Sequence, residues 1–177
     1  MRFIRPIITV VLVLVIAYAL VRPKGGPEVG ALAPPISAPT LQGDAFDLAQ
    51  YAGRVVVLDF WATWCRPCRK SLPALNAIHH MYAQDNAVHF ASINVDKGPD
   101  RVGKVKAFMT RLNLDFPVVL DQQDVIAQRY GVRTIPTLIV IDPNGAIHSV
   151  VQGLISADKS VFIDALKEKI AAAAQRS

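Results

Sequence analysis

The chain has 177 residues, 52% of them hydrophobic, with 19 Lys and Arg against 14 Asp and Glu for a formal charge of +5. Four of the basic residues, Arg2, Arg5, Arg22 and Lys24, precede the first acid, so the rest of the chain is close to neutral, with 15 basic and 14 acidic residues. No basic face is left over to neutralise phosphates, and nucleic-acid binding is not indicated.

Residues 6–21 form an uncharged and almost wholly aliphatic run bounded by Arg5 and Arg22. As a helix it would span ~24 Å of a ~30 Å hydrocarbon core, enough if Phe3 and Ile4 contribute and the arginines snorkel. The run is apolar on every face and is followed by a Pro/Gly stretch, which argues against a buried core helix. Residues 1–22 are therefore expected to be an N-terminal transmembrane anchor or a signal segment. Ala17-Tyr18-Ala19 offers a signal-peptidase site, while the apolar run continuing through Leu20 and Val21 favours an uncleaved anchor. Residues 23–35 hold four prolines and three glycines and should form an extended linker. Residues 36–177 are enough for one domain with a full core.

Within that domain the patterns alternate. A hairpin is predicted over residues 36–41 and 45–48, turning at Gln42-Gly43-Asp44. A β-branched strand at 54–60 leads to a helix at 65–83, with Leu72, Leu75, Ile78 and Tyr82 on one face. A strand at 88–95 follows, then a helix at 101–112 with Val102, Val105, Phe108, Met109 and Leu112 on one face. A strand at 116–120, a short helix at 124–130 and a strand at 137–141 come next. Pro143-Asn144-Gly145 turns into a strand at 146–151, and a helix at 157–174 closes the chain. This order describes an α/β protein with a mixed sheet.

The only two cysteines, Cys65 and Cys68, sit three apart where the apolar strand gives way to the helix. Thiols so placed can close into a disulfide and reopen, and the unpaired amides of a helix start favour the first thiolate. A structural bridge would more usefully join distant segments, because closing a tiny loop removes little unfolded-state entropy. Structural zinc wants about four ligands, although a Cys-x-x-Cys pair can hold Cu(I). His79, His80, His89 and His148 have no metal-ligand spacing and are expected to pack or face solvent. Asp59 stands inside the aliphatic strand, which is costly unless it is protonated, hydrated or functional. Outside the cytoplasm a lone dithiol has to be kept reduced by a partner or else work oxidised.

Asp59-Phe60-Trp61-Ala62-Thr63-Trp64-Cys65-Arg66-Pro67-Cys68 resembles the thioredoxin active-site segment, with Pro73 where those proteins kink the following helix. Tyr130-Gly131-Val132-Arg133-Thr134-Ile135-Pro136-Thr137 resembles the thioredoxin loop that carries a cis-proline. With the anchor, the linker and the extra helix at 101–112, residues 30–170 resemble the membrane-anchored TlpA/ResA branch of thiol–disulfide oxidoreductases.

The resemblance implies a thioredoxin fold, a mixed central sheet flanked by helices with an N-terminal hairpin and an inserted helix. It implies a protein-disulfide oxidoreductase with no cofactor beyond the Cys65–Cys68 disulfide. Cys65 would be the accessible nucleophile that forms a mixed disulfide, and the more shielded Cys68 would resolve it. Asp59 would lie behind Cys68 and exchange its proton, with burial raising its pKa toward neutrality. Arg66 would favour the Cys65 thiolate. Trp64, Arg66, Pro67, Thr134, Ile135 and Pro136 would meet the substrate, the proline loop by strand-like hydrogen bonds.

Protein disulfides are the implied substrates and a membrane dithiol transporter of the DsbD/CcdA kind the implied electron donor. The implied location is the bacterial cytoplasmic membrane, with the catalytic domain in the periplasm, or a soluble periplasmic protein after cleavage. Ser71 stands where members that reduce apocytochrome c carry a glutamate, and Ser92 where thioredoxins carry a lysine near the aspartate. Competing readings are a disulfide oxidase or isomerase, a thiol peroxidase, and a non-enzymatic copper-binding or chaperone module. A peroxidase would want a Thr/Ser-x-x-Cys context, which the chain lacks.

Overall fold

Val55–Trp61, β3, is buried at all seven positions, as a strand covered on both faces must be. It is the middle of a five-stranded sheet in the computed structural model, which describes residues 26–176. The expected anchor at residues 1–22 lies outside the described residues. Among those described, no helix is long and apolar enough to cross a membrane.

The elements follow the expected order. A short antiparallel hairpin, β1 (Ser37–Pro39) and β2 (Ala45–Asp47), precedes β3. Then come α1 (Arg66–Met81), β4 (Val88–Asn94), α2 (Arg101–Arg111), β5 (Val118–Leu120), α3 (Val125–Arg129), β6 (Thr137–Ile141), β7 (Ile147–Gln152) and α4 (Lys159–Ala174). The sheet order is β5-β4-β3-β6-β7, with β3, β4 and β5 parallel and β6 antiparallel to both its neighbours. This is a thioredoxin-like α/β fold with a mixed central sheet flanked by helices.

Strand alternation sorts the core into two layers. Val55, Val57 and Trp61 pack with α1, α2 and α4, whose Leu72, Ile78, Val105, Phe108, Phe162 and Leu166 are buried there. Val56, Leu58 and Phe60 face the opposite side, with Phe46 of the hairpin and Ile126 and Tyr130 at α3. Asp59 shares the row of Val57 and Trp61, so it points at the α1 side.

Several predicted boundaries shift for local reasons. The strand expected from residue 116 starts at Val118, since Pro117 has no N–H for the ladder. The helix expected from 157 starts at Lys159, because the Asp158 carboxylate accepts from the amides of Ser160 (2.8 Å) and Val161 (3.2 Å). Val102 does not join the buried face of α2 and is 42% exposed. The first turn of that helix is held instead by Arg101, whose guanidinium donates to the Asp121 carbonyl at 2.9 Å. The segment from Gly30 to Pro34, part of the expected tether, is docked. Gly30 donates to the Ile147 carbonyl (2.8 Å), Ala33 to Gly145 (2.9 Å), and the Tyr130 hydroxyl to Pro34 (2.6 Å).

Candidate active site

β3 and β4 are parallel and end at the same edge of the sheet, and the chain leaving β3 carries both cysteines into α1. Cys65 is the N-cap of that helix, with φ −75° and ψ 103°. Its sulfur accepts a hydrogen bond from the Cys68 amide at 3.2 Å, so one of the helix's otherwise unpaired donors points at sulfur. Pro67 occupies the first turn, where a missing N–H costs little. Cys65 and Cys68 are joined in a disulfide with Cα atoms 5.3 Å apart. The expectation of an accessible Cys65 needs correction for this state. It is only 4% exposed and Cys68 fully buried, both inside the apolar layer under α1.

The loop before Cys65 is pinned on both sides of Thr63. Its amide and its hydroxyl each donate to the Asp96 carboxylate at 2.7 Å. Its carbonyl accepts from the Arg69 guanidinium at 2.8 and 3.1 Å. The Asn94 side-chain amide donates to the same carboxylate at 2.8 Å. Asp96 and Arg69 were not among the residues singled out in the sequence. The available signal was an aspartate just past a strand end, on the edge of a parallel sheet where sites gather.

The two tryptophans part company. Trp61 is core, its indole N–H donating to the Ser92 hydroxyl at 2.6 Å and its ring 5.3 Å from that of Phe108. Trp64 is 65% exposed and stands beside exposed Arg66 and Pro67. Ser71 is buried and donates to the Cys68 carbonyl at 3.0 Å.

Asp59 lies in register with Ser92 of β4 and Leu138 of β6. It is buried, and neither carboxylate oxygen has a hydrogen-bond partner among the described residues. Burial alone pushes its pKa up to about 8, because a charge there would have no solvation.

The Ile135–Pro136 peptide bond is cis. Thr137 pairs with Phe60, so this loop runs beside the end of β3, the stretch that continues to Cys65. Ile135 packs on the layer holding both cysteines, Thr134 is exposed, and the Thr134 carbonyl accepts from the Thr137 hydroxyl at 2.7 Å. Cys65, Cys68, Trp64, Thr134, Ile135 and Pro136 thus meet at one edge of the sheet, with Asp59 beneath α1.

His79 and His80 are neighbours, with ring centroids 5.7 Å apart. His89 stacks on Tyr51 with centroids 3.6 Å apart, and His80 pairs with Asp115 at 3.0 Å. Among the described residues no three His, Cys, Asp or Glu side chains converge as metal ligands would.

A family model described as the AhpC/TSA family matches residues 29–150. Over 135 residues the chain is 35% identical to the thiol-disulfide oxidoreductase ResA of Geobacillus thermodenitrificans, covering 76% of this chain and 75% of that one. A crystal structure from Chlorobium tepidum, named for the thiol:disulfide interchange protein DsbE, superposes with a TM-score of 0.72 at 32% identity. It covers 84% of this chain and 99% of the other. A secreted disulfide oxidoreductase of Mycobacterium tuberculosis, homologous to Escherichia coli DsbE, gives 0.64 at 29% identity, over 77% and 95%.

Proposed function

The chain belongs to the AhpC/TSA family and is a thiol–disulfide oxidoreductase, and from that premise we propose that it reduces protein disulfides outside the cytoplasm. Cys65 attacks and Cys68 resolves. In its reduced form the Cys65 thiolate adds to one sulfur of a substrate disulfide. The other substrate sulfur leaves as a thiol, and a mixed disulfide joins the two proteins. The Cys68 thiol gives its proton to Asp59, and its thiolate attacks Cys65. The substrate departs as a dithiol and the Cys65–Cys68 disulfide is left, oxidised by two electrons.

The observation that carries this reading is the unequal setting of the two sulfurs. Cys65 caps a helix and receives the Cys68 amide, a donor well placed for a thiolate. Cys68 is fully enclosed on the face of α1 that covers Asp59 and reaches only inward. Asp59, unpartnered and with a pKa near the working range, is suited to take a proton and return it. Trp64, Arg66 and Pro67 supply an exposed platform beside the sulfurs, and Thr134, Ile135 and Pro136 an edge for an extended substrate.

The aliphatic segment at residues 6–21 supports a bacterial membrane anchor with the catalytic domain in the periplasm, and the secreted relative agrees with that placement. A reductase there needs electrons, for which a membrane dithiol transporter of the DsbD/CcdA kind is the fitting donor. With Ser71 held against the Cys68 carbonyl in place of a glutamate, the substrates are protein disulfides in general rather than apocytochrome c alone. The test is the redox state of the pair in its host, read by thiol alkylation. A reductase is found mostly reduced and becomes oxidised when the transporter is deleted. A pair that is oxidised in unperturbed cells contradicts this direction and favours an oxidase.

A further inference from the structure

Asp59 as a base has a delivery problem. Each turnover passes a proton through it, yet it is sealed beneath α1, and among the described residues neither oxygen has a partner. Proton transfer needs a group within hydrogen-bond reach, or one water between. Beside the carboxylate is a cavity of about 20 Å³, lined by Val57, Asp59, Leu75, His79, Phe90 and Ser92 among others. That is room for a single water.

We propose that one water in this cavity links Asp59 to His79, and that His79 is the positioning residue through which the Asp59 proton reaches solvent. The proposal rests on the reading of Asp59 as the base for Cys68.

The lining suits a water. A buried water wants two to four polar partners, and three side chains offer them. Asp59 presents two unused oxygens. The Ser92 oxygen already accepts the Trp61 indole N–H, which leaves its own hydrogen to donate. His79 lines the cavity, and an imidazole carries two nitrogens able to accept or donate. The other walls are apolar, which keeps the water few and fixed.

His79 is also in the right place along the helix. Cys68, Leu72, Leu75 and His79 follow one another at spacings of four, three and four, a single stripe of α1 facing the sheet. Cys68, Leu72 and Leu75 are buried, whereas His79 is half-exposed. An imidazole at the end of this stripe touches the cavity on one side and water on the other. Burial chiefly, helped by neighbouring His80 and opposed by Asp115, holds its pKa below the ordinary value. At neutral pH the ring is therefore uncharged, with one nitrogen to accept a proton and one to release it. The titratable groups facing this pair are His80 on the same helix, Asp115 ahead of β5, and His89 on β4. Ser92 and Leu138, flanking Asp59, carry no charge.

The step balances without another reagent. Asp59, which holds a proton at neutral pH, first loses it through the water to His79. The carboxylate so formed takes the Cys68 proton as that thiolate forms and is protonated again. His79 releases a proton to solvent, where the departing substrate thiolate regains one.

The test uses the reduced protein and the chromogenic disulfide dithiobis(nitrobenzoate), which releases one coloured thiolate on attack by Cys65 and a second on resolution by Cys68. Resolution is timed from pH 6 to 9 for the native protein, His79→Gln, Asp59→Asn and the double variant. Gln keeps the size and hydrogen bonding of His79 and cannot shuttle a proton. His79→Gln is expected to slow the second phase roughly fivefold or more with the first unchanged. Free imidazole should restore part of the rate, and the double variant should be no slower than Asp59→Asn. A second phase of native speed in His79→Gln overturns the route, as does equal slowing in the Asp59→Asn background. If Asp59→Asn itself resolves at the native rate, the base reading fails first. A slow Asp59→Asn beside a native-like His79→Gln sinks the route alone.

Discussion

Asp96 holds Thr63 through both of its donors, accepting from the amide and the hydroxyl at 2.7 Å each. Thr63 lies two residues before Cys65, so a carboxylate just past the end of β4 sets the approach of the chain to the cysteine pair. The same carboxylate accepts the buried Asn94 side-chain amide.

Replacing Asp96 by Ala should therefore strand three donors at once, the buried Asn94 amide and the part-buried amide and hydroxyl of Thr63. The expected cost is about 2–4 kcal/mol in the unfolding free energy from urea titration, with insulin reduction slowed as the loop loses its setting. Asp96→Asn, which keeps an acceptor oxygen, should lose less of both. A destabilised Asp96→Ala protein with native turnover would show that the pin serves the fold only.

Asp59 should make the protein less stable as pH rises. Its pKa goes from 3.8 in the open chain to about 8 in the fold. Between those values the folded state holds a proton that the unfolded state has released, so unfolding becomes easier with each step upward in pH. The full contribution is present below about pH 4 and gone above about pH 8, on the order of 5 kcal/mol. Denaturant midpoints measured across that window should fall in the native protein and flatten in Asp59→Asn. Parallel slopes in the two proteins would contradict the burial of an uncharged carboxyl.

His89 works in the opposite sense. Burial first, then the charges of Arg54 and His79, bring it from 6.5 down to about 4, while its ring lies on Tyr51. Below pH 6.5 the unfolded chain takes a proton that the fold refuses, so stability is lost as the pH falls toward 4. His79, shifted the same way, adds to this limb. His89→Gln should lose the aromatic stack and also flatten the acid limb, which thermal melts at pH 4.5 and 7 will show by a smaller difference between the two.

The two tryptophans should give opposite phenotypes. Trp61→Ala removes a fully buried indole and leaves Ser92 without its donor, at about 3–5 kcal/mol. Trp64→Ala, on the exposed side, should change stability by no more than about 0.5 kcal/mol and raise KM for insulin severalfold. Loss of stability in Trp64→Ala would place that ring in the core instead.

Much of this architecture is legible in the residues. The continuous apolar run of β3, the four-three spacing on α1 and the turn at Pro143-Asn144-Gly145 each carry their own period or dihedral demand. Asp59 stands out because a carboxylate in such a strand has no cheap explanation. What stays hidden depends on register. Asp96 and Thr63 meet only because β3 and β4 end together, and His79 nears Asp59 only once α1 is laid across the sheet. The docked residues 30–34 read as a linker because Pro and Gly say nothing of the backbone partners at Gly145 and Ile147. Val102 fits the period of its helix and still faces solvent, since a period identifies a face and not what lies opposite.

The two sulfurs are proposed to have different jobs, and trapping on insulin separates them. Single variants Cys68→Ser and Cys65→Ser are mixed with insulin and run without reductant. The expected result is a stable protein–insulin disulfide for Cys68→Ser and none for Cys65→Ser. Adducts of equal yield from both variants, or an adduct only through Cys68, would refute this division between the sulfurs.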